Sequence, residues 1–228
     1  MGAGEEFEKS FGEFAAAASR FPMDAISFVP LEQLRKLLFY YQELDHLKDV
    51  PGDLVEFGVF RGSTLCFLSD ANLLLDGANS SRSIIGFDTF TGFTPKGPEV
   101  PWQRDLECRD LFRETSKAMV LRKLEGRPGH RVRLIEGDIL ETLPAHLAVW
   151  PNKIALAICD VDLADVTRFA LENIWERMSP GGRIYLDEYS RDGWSETVGV
   201  DGFLRQRGLR LSLVRRTPGV PFAFIQIP

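Results

Sequence analysis

Cysteine is scarce in this chain. The three residues, Cys66, Cys108 and Cys159, are an odd number without motif spacing, which argues against a disulfide framework or a cysteine zinc site. A reducing, cytoplasmic setting is the simplest reading. Long apolar runs are missing too: no uninterrupted stretch approaches the ~18 residues of a membrane span, so no membrane partner is expected. Positive charge is in deficit. The formal net charge of -6 argues against a nucleic-acid partner, because strand binding leans on basic patches, and the small clusters Arg215 with Arg216 and Arg205 with Arg207 do not overturn this. Met1 and Gly2 open a myristoylation pattern, but Glu6 stands where serine or threonine is required, and no charged-then-apolar signal peptide follows. The start is expected to be untargeted. Internal repeats and low-complexity tracts are absent as well.

What remains is an ordinary globular composition, 44% hydrophobic and 26% charged. Its 228 residues suffice for one filled α/β domain and are too few for two independent cores. Residues 1–50 read as a helical accessory segment, a lid or an interface, and residues 51–228 as the main domain. Phe7, Phe11, Phe14, Phe21 and Phe28 lie among alanines and glutamates, which suggests a helix that packs only when something covers it. Leu31, Leu34, Leu37, Leu38, Tyr41 and Leu44 recur at helical spacing and predict a helix over 31–47 with one apolar stripe.

Strands are predicted at 54–59, 83–87, 131–136, 153–159 and 183–186, alternating with helices at 64–75, 105–124, from Asp138 to about 147, 164–178 and 196–206. Ser179, Pro180, Gly181 and Gly182 read as the turn before the fifth strand. Residues 209–214 and 221–227 alternate apolar positions around 215–219 and look like a closing antiparallel hairpin. The result is an α/β fold whose sheet is seven-stranded and mostly parallel, with an antiparallel C-terminal hairpin and helices on both faces. That is the layout of the class I, Rossmann-like methyltransferase fold. The loop over 91–101 is long enough to cover a site.

Ligands of open parallel sheets lie outside the carboxyl ends of the strands. Glu56, Gly58, Asp88, Gly137, Asp138, Asp160, Asp162, Asp187 and Glu188 all fall at or just past such ends. The first βα turn lacks Gly-x-Gly-x-x-Gly and reads Glu56-x-Gly58-x-x-x-Gly62, with Arg61 and Ser63 beside the second glycine. Gly58 and Gly62 let the backbone turn sharply, while Glu56 offers a carboxylate to a hydroxyl or an ammonium. Asp88, followed by Thr89, suits ribose hydroxyls, and Asp138, after Gly137, suits an adenine amine. Each acid has a competing reading as the cap of the next helix.

Asp160, Asp162, Asp187 and Glu188 form a second group at the ends of strands four and five. Carboxylates converging without a nearby lysine or arginine repel unless a hard divalent cation sits among them, and magnesium is the natural choice. Such an ion leaves positions for two substrate hydroxyls. The competing reading leaves Asp160 or Glu188 facing solvent. Tyr40, Tyr41, Trp102, Tyr189 and Trp194 are candidate acceptor walls or core residues. His130 precedes strand three and belongs on the opposite rim; His46 reaches the site only if its helix is a lid.

The ordered set of motifs carries a resemblance. Val55-Glu56-Phe57-Gly58-Val59-Phe60-Arg61-Gly62, Gly86-Phe87-Asp88-Thr89-Phe90, Gly137-Asp138, Asp160-Val161-Asp162, Gly181 through Tyr189, and Glu196-Thr197 with Asp201, Phe203 and Leu204 resemble the macrocin O-methyltransferase family over roughly residues 50–205. That family includes metal-dependent enzymes acting on deoxysugars, either nucleotide-linked or attached to an antibiotic. The resemblance implies S-adenosylmethionine as methyl donor, held among Glu56, Gly58, Arg61, Gly62, Ser63, Asp88, Thr89, Gly137, Asp138 and Asp160. It also implies magnesium on Asp162, Asp187 and Glu188, and a hydroxylated, sugar-containing acceptor closed over by the amino-terminal helices and the loop after Asp88. The Phe-rich amino terminus allows a homodimer.

Departures from the family pattern are specific. Ala164 stands where tyrosine is usual, Cys159 where histidine often precedes the first aspartate, and residues 102–124 contain no histidine. Asp160, Asp162 and Glu188 are then the candidate proton acceptors. Methylation of a phenol or catechol, a non-catalytic cofactor-binding subunit and a nicotinamide reductase stay open beside the leading reading.

Overall fold

The computed structural model describes residues 3–20, 24, 27–77, 80–93, 111–125, 131–189, 195–214, 220–221 and 223–228. Strands β1 (Asp53–Phe57), β2 (Ile84–Asp88), β3 (Val132–Glu136), β4 (Ile154–Cys159), β5 (Met178–Leu186), β6 (Ser212–Leu213) and β7 (Ala223–Gln226) form one sheet in the order β3-β2-β1-β4-β5-β7-β6. The first five are parallel, and β7 inserts antiparallel between β5 and β6. Strand order reverses between β1 and β4, the switch point at which open sheets place ligands.

Every residue of β1 and β4 is buried, as expected of central strands covered on both faces. Alternation sends Val55 and Phe57 to one side, where Ile85 and Phe87 join them beneath helices α5 (Ile139–Val149), α6 (Ala164–Ile174) and α7 (Ser195–Arg207). Leu54 faces the other side with Ile84, Leu156 and Ile158, beneath α2 (Leu31–His46), α3 (Ser63–Asp76) and Val120 of α4 (Lys117–Leu124). By the same alternation Glu56 points to the α2 side. Helix α1 (Ala3–Arg20) precedes these elements. Among the described residues no helix is long and apolar enough to cross a membrane.

Several sequence expectations change. Helix α4 begins only at Lys117, where Ser116 Oγ accepts the backbone N–H of Met119 at 3.1 Å; residues 94–110, with Trp102 and most of the expected loop, lie outside the described residues. The turn expected at 179–182 is part of β5. Pairing shifts from Ile154 with Met178 to Leu156 with Arg183, so the glycines form an irregularity within a longer strand. Helix α6 ends at Ile174 and tightens into a 3-10 turn, Trp175–Arg177, instead of running to 178.

The apolar stripe of α2 is also corrected. Leu44 is buried, but Leu31, Leu34, Leu38 and Tyr41 are exposed, and the docked face carries Tyr40, Leu44 and Leu47. Charged residues share that face. Glu43 accepts hydrogen bonds from Tyr185 Oη and Arg183 Nη1, and polar positions with buried partners are invisible to an apolar periodicity. Beyond the end of α2, Arg82 Nη2 donates to the carbonyls of Leu47, Lys48 and Val50 at 2.7–2.8 Å, fixing the exit.

Candidate active site

The hydrogen-bond ladder continues one step past several strands. Gly58 N–H donates to Phe87 O, Asp160 N–H to Phe57 O, Asp187 N–H to Cys159 O and Gly137 N–H to Asp88 O, at 2.9–3.1 Å. Asp88, Asp160 and Asp187 therefore stand on one rim. Gly58 has φ +90, and a Cβ there would lie 1.8 Å from Asp160 O, so the two central strands approach too closely for any other residue.

A cleft opens on this rim. Its walls are Gly58, Phe60, Phe87, Asp88, Thr89, Gly92, Phe93, Phe112, Asp138, Ile139 and the run from Asp160 to Leu163, with Asp165 and Val166. The Phe112 ring meets Phe60 and Phe93 edge-on at 5.4 and 5.3 Å. Aromatic and apolar surface beside carboxylates is the chemistry that takes a flat base on a polyhydroxylated sugar. Asp88 also braces its own surroundings, accepting the N–H groups of Phe60 and Phe90 at 2.7 and 2.6 Å. Asp138 lines the cleft and caps α5, its Oδ1 accepting Leu140 N–H at 2.9 Å.

Glu56, Arg61, Gly62, Ser63 and Gly137 are not on the cleft wall. Arg61 Nη2 pairs with Glu114 Oε2 at 2.6 Å, and its carbonyl accepts from Lys123 Nζ at 2.6 Å. Gly62, with φ +73, begins α3 in the left-handed region, and a Cβ there would meet Val120 Cγ1 at 2.5 Å. Its role in this structure is to let α4 pack close.

Next to Asp160 lies the acid group, and it contains a cation the sequence reading did not anticipate. Lys36 Nζ, on α2, is 3.5 Å from Asp160 Oδ2 and 3.4 Å from Asp187 Oδ1, with its side chain 17% exposed. The premise that no lysine or arginine stands near these carboxylates is therefore wrong. Burial opposes the ammonium, but Asp160, Asp187 and Glu56 outweigh it and hold its pKa above the ordinary lysine value.

Negative charge still exceeds this one cation. Glu196, the second residue of α7, is fully buried, and neither carboxylate oxygen accepts a hydrogen bond. Burial first, then Asp160, Asp162, Asp187 and Glu188, push its pKa well up. Glu56 and Asp160 are raised chiefly by desolvation, with acidic neighbours adding to it. Asp162 has φ +59, in the left-handed region that aspartate and asparagine enter more readily than other residues with a side chain. The donor set is all hard oxygen with orphaned acceptors, which suits a divalent cation. Among the described residues, however, no three His, Cys, Asp or Glu side chains are already arranged around a metal position.

A family model described as macrocin-O-methyltransferase (TylF) matches residues 7–215. The chain belongs to the macrocin O-methyltransferase family. It is similar to the 8-demethyl-8-(2,3-dimethoxy-alpha-L-rhamnosyl)-tetracenomycin-C 4'-O-methyltransferase of Streptomyces olivaceus, 30% identical over 78% of this chain and 67% of that protein. Mycinamicin III 3''-O-methyltransferase of Micromonospora griseorubida is 28% identical over 84% of this chain and 76% of its own length. The structure of CalS11, a TDP-rhamnose 3'-O-methyltransferase, superposes with a TM-score of 0.70 at 27% identity, covering 98% of this chain and 92% of that one. The chain is thus an O-methyltransferase, and its class I fold makes S-adenosylmethionine the methyl donor.

Ala164 N–H donates to Ser195 Oγ at 2.7 Å, so the residue after the Asp160–Leu163 run is tied to the start of α7. His46 lies at the exposed end of α2, with its ring nitrogen 3.1 Å from Gln42 O, and does not reach the acids. His130 and Trp194 lie outside the described residues. Tyr189 hydrogen-bonds Asp201 at 2.9 Å, while Tyr40 is core, packed edge-on against Phe39 and Tyr185. Sequence reasoning missed Lys36, Phe93, Phe112 and the burial of Glu196. Only Glu196 carried a signal, as an acid opening a helix just beyond strand five.

Proposed function

We propose that this O-methyltransferase transfers the S-adenosylmethionine methyl group to a hydroxyl of a deoxysugar, either nucleotide-linked or carried by a glycosylated natural product. The observation that carries the reading is shared membership. Asp160 and Asp162 line the donor-type cleft, and Asp160 also joins Asp187 through Lys36, so a donor and an acceptor would meet at these residues. The relatives that act on rhamnosyl groups support the acceptor class.

In this reading Asp88 and Thr89 receive the ribose, Phe60, Phe93 and Phe112 the base, and Asp138 its amine. Asp160 receives the donor's ammonium, and the Glu56 carboxyl, buried behind the wall, adds to the potential there. S-adenosylmethionine, when bound, supplies a methyl on a sulfonium leaving group. Asp162, Asp187 and Glu188 would hold magnesium, which when bound lowers the pKa of a coordinated hydroxyl. The acceptor's proton passes to a carboxylate, Asp160, Asp162 or Glu188, since no histidine among the described residues reaches this place. The exposed Leu31, Leu34, Leu38 and Tyr41 support a homodimer through α2, and the buried cysteines Cys66 and Cys159, which form no disulfide, suit the cytoplasm.

The test is methyl transfer by the purified chain to a panel of nucleotide-linked deoxysugars, glycosylated aglycones and catechols, with and without chelator. Sugar-dependent product is expected. Turnover of catechols alone would reject the acceptor class.

A further inference from the structure

Among the described residues Lys36 forms ion pairs with two of the acids, and it comes from outside the first βα turn. Its ammonium bridges Asp160 at the end of β4 and Asp187 at the end of β5. Behind it stand the fully buried Glu196, with two oxygens that accept no hydrogen bond, and Glu56, with one. Asp160, Asp187, Glu56 and Glu196 outnumber the ammonium they surround, and their mutual proximity favours further positive charge. Yet Asp187, which the magnesium reading needs as a ligand, is already engaged by the lysine.

We propose that Lys36 is the resident counter-ion of this acid cluster and competes with a divalent cation for Asp187, so that it sets the chain's metal affinity. The proposal rests on the reading of Asp162, Asp187 and Glu188 as metal ligands. The physical reason is twofold. A coordinated metal takes the oxygen lone pairs that the ammonium contacts, and a fixed positive charge a few ångströms from a dication opposes its binding. Helix α2 does not depend on this contact for its place. Tyr40, Leu44 and Leu47 are buried in the core beneath it, and Glu43 bonds Arg183 and Tyr185. The lysine stem can therefore withdraw, or be replaced, with the helix still docked.

The experiment uses the full chain stripped with chelator, without donor or acceptor. Mn2+ binding is followed by electron paramagnetic resonance and Mg2+ binding by calorimetry. Lys36→Met, which keeps the apolar stem, is expected to bind either ion at least about tenfold more tightly than wild type, whereas Lys36→Arg, which keeps the charge, gains nothing. Lys36→Met should also melt lower than wild type in chelator and recover with saturating Mg2+. Equal or weaker metal affinity in Lys36→Met overturns the competition while leaving the metal site standing. Tight binding that survives Asp187→Asn in the Lys36→Met background also overturns it, because the ion then sits elsewhere. Binding by neither protein rejects the metal reading and the competition together.

Discussion

Asp88 accepts the backbone N–H of Phe60 at 2.7 Å, tying the end of β2 to the turn that follows β1. The other oxygen takes Phe90 N–H at 2.6 Å. Both phenylalanines have positive φ, 50 and 55, a conformation that costs roughly 1–2 kcal/mol in a residue with a side chain. Hydrogen bonds to a charged acceptor, about 1.5–3 kcal/mol each, offset that strain. One carboxylate thus shapes the mouth of the cleft before any ribose arrives.

Asp88→Asn has a single acceptor oxygen, so one of the two N–H groups must face an amide N–H instead. The expected result is a loss of about 2 kcal/mol in stability and S-adenosylhomocysteine affinity at least about tenfold weaker by calorimetry. Retained affinity would separate the brace from the ribose role and reject the latter.

Gly62 and Val120 make a second pair open to test. Gly62→Ala places a methyl 2.5 Å from Val120 Cγ1 at φ +73. Overpacking of this kind costs about 1–3 kcal/mol, and the left-handed alanine adds about 1 more. Gly62→Ala with Val120→Ala removes the clash and leaves the strain. The double mutant should therefore be more stable than the sum of the single effects predicts, by denaturant melts in a four-member cycle. Additive losses would place the cost of Gly62→Ala in its backbone alone.

Much of this geometry was legible in the sequence because it is local. A nearly continuous apolar run gave β4, a short run entering a glycine-bearing turn gave β1, and acids at the ends of strands marked the rim. Lys36 was not legible, since it lies twenty residues before Glu56 and no spacing rule links a helix to the strand ends it crosses. The docked face of α2 was misread for a related reason. Glu43 and Lys36 are half-buried and paired with partners on other elements, so the visible leucine stripe pointed to solvent. The glycines at 181 and 182 suggested a turn, but β4 pairs with Met178 before them and Arg183 after them, and Gly181 N–H to Ile227 O and Ile227 N–H to Gly182 O tie the stretch to the end of β7.

Glu56 should trade stability for ligand binding. It is 3% exposed, and Oε2 accepts no hydrogen bond. Desolvation, then Asp160, raise its pKa well above 4.5. A native pKa above the unfolded one means that the folded chain holds the proton more tightly, so ionisation costs stability at higher pH. Glu56→Gln removes that cost. The variant should melt above wild type at pH 8, with the advantage shrinking as pH falls through the native pKa and vanishing near 4.5. Donor affinity should fall by about threefold or more, because a carboxyl that supports Asp160 from behind the cleft wall is gone. A Glu56→Gln protein less stable than wild type at pH 8 would show that the carboxylate is satisfied in the native state.

Asp162 separates charge from conformation. Its φ of +59 is a region that asparagine tolerates and alanine does not. Asp162→Asn keeps size and backbone and loses only the charge, so its melting temperature should exceed that of Asp162→Ala. Asp162→Ala should cost about 1 kcal/mol more through strain. If Asp162 serves the acceptor side, Asp162→Asn should lower turnover by about a hundredfold or more. Calorimetric affinity for S-adenosylhomocysteine should stay within about threefold of wild type. Chelator should abolish wild-type turnover, and Mg2+ should restore it in wild type but not in Asp162→Asn. Chelator-resistant turnover together with an active Asp162→Asn would assign the reaction to the carboxylates and Lys36 without a metal.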